Sequence, residues 1–440
     1  MHSSFSWSWV ESQARLAADL WRTSAHLPLP PAPRFTVCEQ RRRENAYEKG
    51  MRAAERELQA SPRTQSEHLA RQNRLAGVFP PFAAAALGLE GEAIHLIADH
   101  FLPLGVEFAR SARRFDPALT MTAIIQACRN AWTVCGLQPL LGERMQLTPS
   151  ILGYSLLYPY TDNYLDRSDL PPASKREFCR RFRQRLRGER LPALNEHEAA
   201  IWALVAMIEA QYPRAGSPQV FDSLLAIHQA QEESIAQLGG RCRNESEILR
   251  ISFAKGGSSV LADACLVRGR LDPEEGQIAF GWGALLQLGD DLQDVQEDLR
   301  RGSATLFTRA VADGKSLDSL VMQLLNFSRR VGNDLDNLPS GSASLKNLLR
   351  FSWRSIIVAA VANVPEIFST AFLAELESSS PFRFAFLRQR RERLAGHHGI
   401  HEKAFKALVD DSRDPVSPVD HSQIAPSLVQ IYASPAVRHA

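Results

Sequence analysis

In SILGYSLLYPY, EHEAAIWALVAMIEAQY and IAFGWGALLQLGDDLQDVQEDL, apolar residues return every three or four positions, and no sustained period-two alternation is bounded by turn signals. A period near 3.6 gives each segment one apolar stripe, which must be buried against another helix. The chain is therefore expected to be all-α. Clusters of Pro, Gly and Ser at PLPPAP, DLPPAS, PRAGSP and LPSGSAS fall between these segments and read as helix–helix connections.

Composition limits what such a bundle can be. With 45% hydrophobic and 23% charged residues, a sizeable core can form and disorder as the main state is excluded. At roughly 150 residues per domain, a chain of this length suggests about three domains, and one large helical domain with extensions is equally allowed. The sequence divides into an N-terminal helical extension over 1–75, rich in Arg, Glu, Gln and Ala and carrying Trp7, Trp9 and Trp21, a main domain over 76–410, and a tail over 411–440. The tail has scattered prolines and no period, and is expected to be disordered.

Lys and Arg number 51 against 49 Asp and Glu, a net charge of +2, so there is no global field for nucleic acid or an anionic membrane. The run KREFCRRFRQRLRGER, Lys175 to Arg190, spreads its charge over several helical faces and reads as a solvated helix rather than a nucleic-acid surface. No signal peptide is visible and no apolar run is long enough to span a bilayer. The six cysteines are dispersed without metal-ligand spacing, which fits a reducing cytoplasm. FRFAFLRQRRERL, Phe382 to Leu394, has the pattern of a basic amphipathic helix that could touch a membrane surface peripherally.

The chemistry lies in two sets of carboxylates. Asp290, Asp294 and Asp298 fall at i, i+4 and i+8 and so stack on one helical face, with Asp291 and Glu297 beside them, and Asp162 and Asp166 repeat that spacing on an earlier segment. Face to face across a cavity at about 6 Å, each additional pair would repel by roughly 3 kcal/mol at an effective dielectric near 20. A cation must sit between them. All-oxygen ligands with no Cys or His nearby point to Mg²⁺, which shares its shell with water and substrate phosphates. A diphosphate held in that way becomes a leaving group, and an allylic cation left behind needs an apolar, aromatic-lined cavity. Tyr154, Tyr158, Phe253, Phe280 and Trp282 stand upstream of the acidic ends. Lys255, followed by Gly256 and Gly257, reads either as a weak spot in a helix or as a break presenting a lysine to phosphate.

The stretch AKGGSSVLADACLVRG…GWGALLQLGDDLQDVQEDLRRGSATLF resembles the second aspartate-rich region of class I isoprenoid synthases. In trans-prenyltransferases that region reads Lys-Thr, an apolar helix, FQxxDDxxD and Gly-Lys-x-Thr. Lys255 matches the lysine, Gln287 the glutamine, Asp290, Asp291 and Asp294 the DDxxD, and Gly302 with Thr305 the trailing segment. The squalene and phytoene synthase pattern is similar at Asp294, Glu297, Asp298 and Gly302, but has Asn where Asp290 stands and Arg where Gln293 stands. DNYLD, Asp162 to Asp166, resembles the family's first motif with Asn163 at its second position. The likeness covers roughly Arg110 to Leu306.

This resemblance implies an antiparallel helical bundle of the isoprenoid synthase type around a deep apolar cavity. Asp162, Asp166, Asp290, Asp291, Asp294 and Asp298 would hold Mg²⁺, with all but Asp298 also counted as catalytic. Lys255, Gln287, Arg167, Tyr158, Arg113 and Arg114 would bind a prenyl diphosphate, with Tyr158 about one turn below Asp162. A homodimer would be usual.

Departures weigh on the reaction. Only Arg167 follows the first motif where elongating enzymes have Arg-Arg-Gly, and SARRFDP has Asp116 where their second-substrate site has arginine. The terpene cyclase NDxxSxxxE is replaced by DDxxDxxxD. The reading is a terpene cyclase releasing pyrophosphate. Chain elongation with isopentenyl diphosphate, head-to-head coupling and a non-catalytic helical binding protein are the alternatives.

Overall fold

The computed structural model describes residues 5–60, 62–167, 169–237, 244–396 and 400–409; the tail over 411–440 lies outside them, as does the side chain of Asp166. Helices and their connections make up the structure, and the described residues form no strand. The chain runs through α1 (Trp7–Ser24), α2 (Val37–Gln59), α3 (Gln65–Phe82), α4 (Gly91–His95), α5 (Leu102–Phe115), α6 (Met121–Leu140) and α7 (Pro149–Asp166). It continues with α8 (Pro172–Leu186), α9 (Glu196–Gln211), α10 (Pro218–Ser234), α11 (Glu245–Arg268), α12 (Pro273–Gln293) and α13 (Val295–Arg301). The last elements are α14 (Leu306–Ala312), α15 (Asp318–Asp334), α16 (Ala343–Asn363), α17 (Thr370–Ser378), α18 (Phe384–Gly396) and α19 (Ile400–Val409).

Local signals explain where the central helices begin and end. Thr148 caps α7 by accepting from the amide of Ile151, and Pro149 takes the first helical position, where a missing N–H costs nothing. Asp272 and Glu275 close a reciprocal capping box at the start of α12. α11 stops at Gly269, whose φ of +73° suits glycine and lets its amide close on the Cys265 carbonyl.

Helix α11 is the hub of the molecule. It packs along α12, α10 and α1, and its other side meets α6 and the middle of α7. From Ile248 to Leu266 every residue of α11 is buried except Arg250, Lys255 and Ser259. The first segment of the chain belongs to this core. Phe5 and Trp21 are buried, Trp9 packs edge-on against Phe280 at 5.9 Å, and Trp21 meets Phe327 at the same distance. α2 and α3 instead pack with α19, and α2 also meets the aromatic start of α18.

The segment expected to reach a membrane is used inside the protein. Phe382, Phe384 and Phe386 are buried, Tyr47 of α2 packs against Phe382 and Phe386, and Glu44 of α2 holds the Arg383 guanidinium at 2.5 Å. Its apolar face is covered by α2 and α16, which the local pattern of a single segment cannot reveal. No described helix is long and apolar enough to cross a membrane. The basic run of α8 is heavily paired. Arg181 meets Glu198, Arg185 meets Glu209 and Arg183 meets Glu232.

Candidate active site

Two glycines set the height of the site. A Cβ on Gly283 of α12 would stand 2.0 Å from the carbonyl oxygen of Gly256 on α11, and one on Gly256 would stand 2.3 Å from the Gly283 oxygen. The backbones touch there. α11 runs unbroken through Lys255, Gly256 and Gly257, so these glycines serve a close helix crossing and make no break. The crossing draws Lys255 near enough to Asp290 and Asp291 for its charge to act on both carboxyls.

The helices around this crossing are only partly open to water. On α7 every residue from Ser150 to Pro159 is buried except Tyr158, which is 42% exposed, and Asp162 follows one turn later, half-buried. On α12 between Ile278 and Asp291, only Gly281, Leu286, Gln287 and Asp290 are reached by solvent. On α11 the open positions are Lys255 and Ser259, and on α6 Arg129 is exposed and Asn130 half-buried. Cross-links bring these helices together. Tyr154 donates its hydroxyl to the Ser259 carbonyl at 3.3 Å, and Asn130 donates to Ser155 at 3.1 Å and Asp263 at 3.0 Å.

The carboxylates of α12 and α13 form an acidic rim. α12 ends at Gln293 and α13 begins at Val295, yet the Asp294 amide still bonds the Asp290 carbonyl (2.9 Å) and the Asp298 amide the Asp294 carbonyl (2.8 Å). The stacking of Asp290, Asp294 and Asp298 therefore survives the bend. Asp290 is exposed to solvent, yet burial by surrounding protein, then the charge of Asp294, pushes its carboxyl up to about 6. Burial also raises Asp294, with Glu297 adding to it, and Asp298, with Asp294 adding to it. Arg129 acts on Asp290 and Asp294, and Arg391 and Arg301 on Asp294, without bringing these carboxyls down to their ordinary range. Burial is the largest cause at each of the three.

Asp291 has a different place from its neighbour. One residue round the helix from Asp290, it is turned inward and buried, accepting from Gln287 at 2.9 Å and Ser252 of α11 at 3.1 Å. Burial pushes it up to about 7 against those bonds and Lys255. Both oxygens are engaged with protein, so Asp291 acts as a clamp between α12 and α11, and Gln287 is its partner. Asp162 accepts from Gln231 of α10 at 2.9 Å, and its charge reaches Tyr154. Asp166 ends α7.

The arginines expected for substrate stand elsewhere. Arg167 is held by Asp169 through two bonds of 3.0 and 2.6 Å. Arg113 and Arg114 end α5, where Arg114 donates to Ser111. Tyr160, about 200° round α7 from both Tyr158 and Asp162, donates to Asp116 just beyond them at 2.5 Å. This arginine pair therefore adjoins the face of α7 that carries Tyr160, away from Tyr158 and Asp162. Phe253, Phe280 and Trp282 are packed into the core against Phe327, Trp9 and Trp353. Arg129 and Arg391 went unread in the sequence. Arg129 had a signal, being the one charged residue of MTAIIQACRNAWTVCGLQPL, whereas Arg391 is hidden in a run of arginines.

The rim suits a hard divalent cation. Its donors are carboxylate oxygens, the ligand type such an ion takes. Among the described residues no three carboxylate, imidazole or thiol groups converge as a ready cage. No protein-family model, curated protein or solved structure matches the chain.

Proposed function

We propose that the chain is a Mg²⁺-dependent class I isoprenoid synthase that ionises a prenyl diphosphate and directs the carbocation as a terpene cyclase, its helices forming the bundle and apolar cavity of that superfamily. The observation that supports it is the rim of Asp290, Asp294 and Asp298 stacked through the end of α12, with Lys255 and Arg129 near enough for their charges to act on Asp290.

In this reading Asp290 and Asp294, together with the Asp162 and Asp166 that the resemblance implies, would hold Mg²⁺, which would neutralise the charge developing on the diphosphate as its bond to carbon breaks. Lys255 and Arg129 face the phosphate oxygens. Asp291, fixed by Gln287 and Ser252, keeps α12 in register with α11 so that Lys255 stays beside the rim. The Tyr158 ring, one turn below Asp162, lies where the hydrocarbon enters, and an aromatic face there contributes roughly 2 kcal/mol to a desolvated cation. Cyclisation leads over chain elongation because the Arg113–Arg114 pair, which would hold a second diphosphate, lies across α7.

The test is incubation with Mg²⁺ and geranyl, farnesyl or geranylgeranyl diphosphate, each with and without isopentenyl diphosphate, followed by mass spectrometry. Product from a single allylic diphosphate supports the cyclase. Product only with isopentenyl diphosphate would replace it with chain elongation, and a mass of two joined chains with head-to-head coupling.

A further inference from the structure

Away from the acidic rim, arginines gather round an open cavity of about 620 Å³ where the end of α8 meets α9. Its charged lining is Arg185, Arg190 and Arg214 with a single carboxylate, Glu209, and its apolar lining includes Leu191 and Trp202. Arg185 grips Glu209 through two bonds of 2.7 and 2.5 Å, and Arg214 adds another at 2.8 Å. Arg214 is fixed further by the carbonyls of Leu186 at 2.5 Å and Arg185 at 3.1 Å, with its guanidinium 3.9 Å over the Phe221 ring. Both guanidiniums are therefore held in place before any ligand arrives, and neither spends all of its N–H groups on these bonds. Arg190 is exposed and has no partner among the described residues. Three guanidiniums against one carboxylate leave two positive charges at the cavity. Trp202 stacks on Phe182 at 6.5 Å, and its Nε1 is buried without a partner.

A phosphate monoester carries about two negative charges at neutral pH and several strong acceptor oxygens. Guanidinium forks match those oxygens in geometry as well as charge. The indole of Trp202 and the side chain of Leu191 suit a flat body attached to the phosphate, and the volume is that of an ordinary small-molecule site, roughly 300–1,000 Å³. We propose that this cavity is a second binding site, for a small phosphate monoester that carries a planar ring. The site stands apart from the synthase reading, because no carboxylate of α12 or α13 lines it.

The experiment titrates the full chain in a calorimeter with adenosine monophosphate and phenyl phosphate, and separately with adenosine, inorganic phosphate and pyrophosphate. Mg²⁺ is left out so that the acidic rim takes no part. A monoester is expected to bind saturably, whereas adenosine lacks the charge and the inorganic anions lack the ring, and none of these three is expected to saturate. Arg190→Glu changes an exposed side chain, and the variant is expected to melt like the parent while binding the monoester at least about tenfold more weakly, the scale of one lost charge-assisted hydrogen bond. Failure of both monoesters to saturate at millimolar concentration, saturation by inorganic phosphate alone, or an affinity that ignores Arg190→Glu would each overturn the proposal.

Discussion

Asp290 and Asp291 are neighbours in sequence with separate tasks, and the difference can be measured. Asp291 has an ordinary carboxyl value of 3.8 unfolded and about 7 in the fold, so the native state binds more protons between those limits. Stability from this group is complete below about pH 4 and is lost as pH rises through 7, at up to ~1.4 kcal/mol per pH unit. Asp291→Asn should flatten the fall in stability between pH 4 and 7 in metal-free buffer, read by denaturant unfolding at each pH. An unaltered slope would show that Asp291 is not the titrating clamp. The sequence showed the stacking of Asp290, Asp294 and Asp298, because four-residue spacing maps directly onto a helix face. It did not separate Asp291 from them, since inward rotation depends on Ser252, 39 residues away.

At the level of elements, the α11–α12 crossing governs the site. Gly256 and Gly283 let the backbones meet, and a methyl group at Gly283 would collide with a carbonyl that cannot move without displacing its helix. Gly283→Ala is expected to cost ~3 kcal/mol of stability and to weaken any ligand binding that needs Lys255 at the rim. Calorimetry showing a parent-like melting temperature would refute the close crossing. Helix propensity marks Gly256 as a weak point, and sequence alone offered a break as one reading. The partner that explains it, Gly283, is far along the chain, so packing rather than local preference decided the outcome. Arg391 was illegible for the same reason, reaching Asp294 from α18.

Across the whole molecule, the all-helical architecture was legible because apolar periodicity is a local property that survives into tertiary structure. The role of the first helix was less so. Trp21 is 1% exposed and packs against Phe327 of α15, tying α1 into the core that supports α11. Trp21→Ala is expected to cost about 4 kcal/mol, and a loss below 1 kcal/mol in denaturant unfolding would place α1 outside the cooperative unit. The central claim is that the rim of α12 takes a metal-bound diphosphate. Calorimetric titration with inorganic pyrophosphate, with and without Mg²⁺, tests it without knowing the hydrocarbon. Binding should require Mg²⁺ and fall at least about a hundredfold, some 2.7 kcal/mol, in Asp290→Asn combined with Asp294→Asn. Binding that ignores Mg²⁺, or is unchanged in the double variant, would contradict the account.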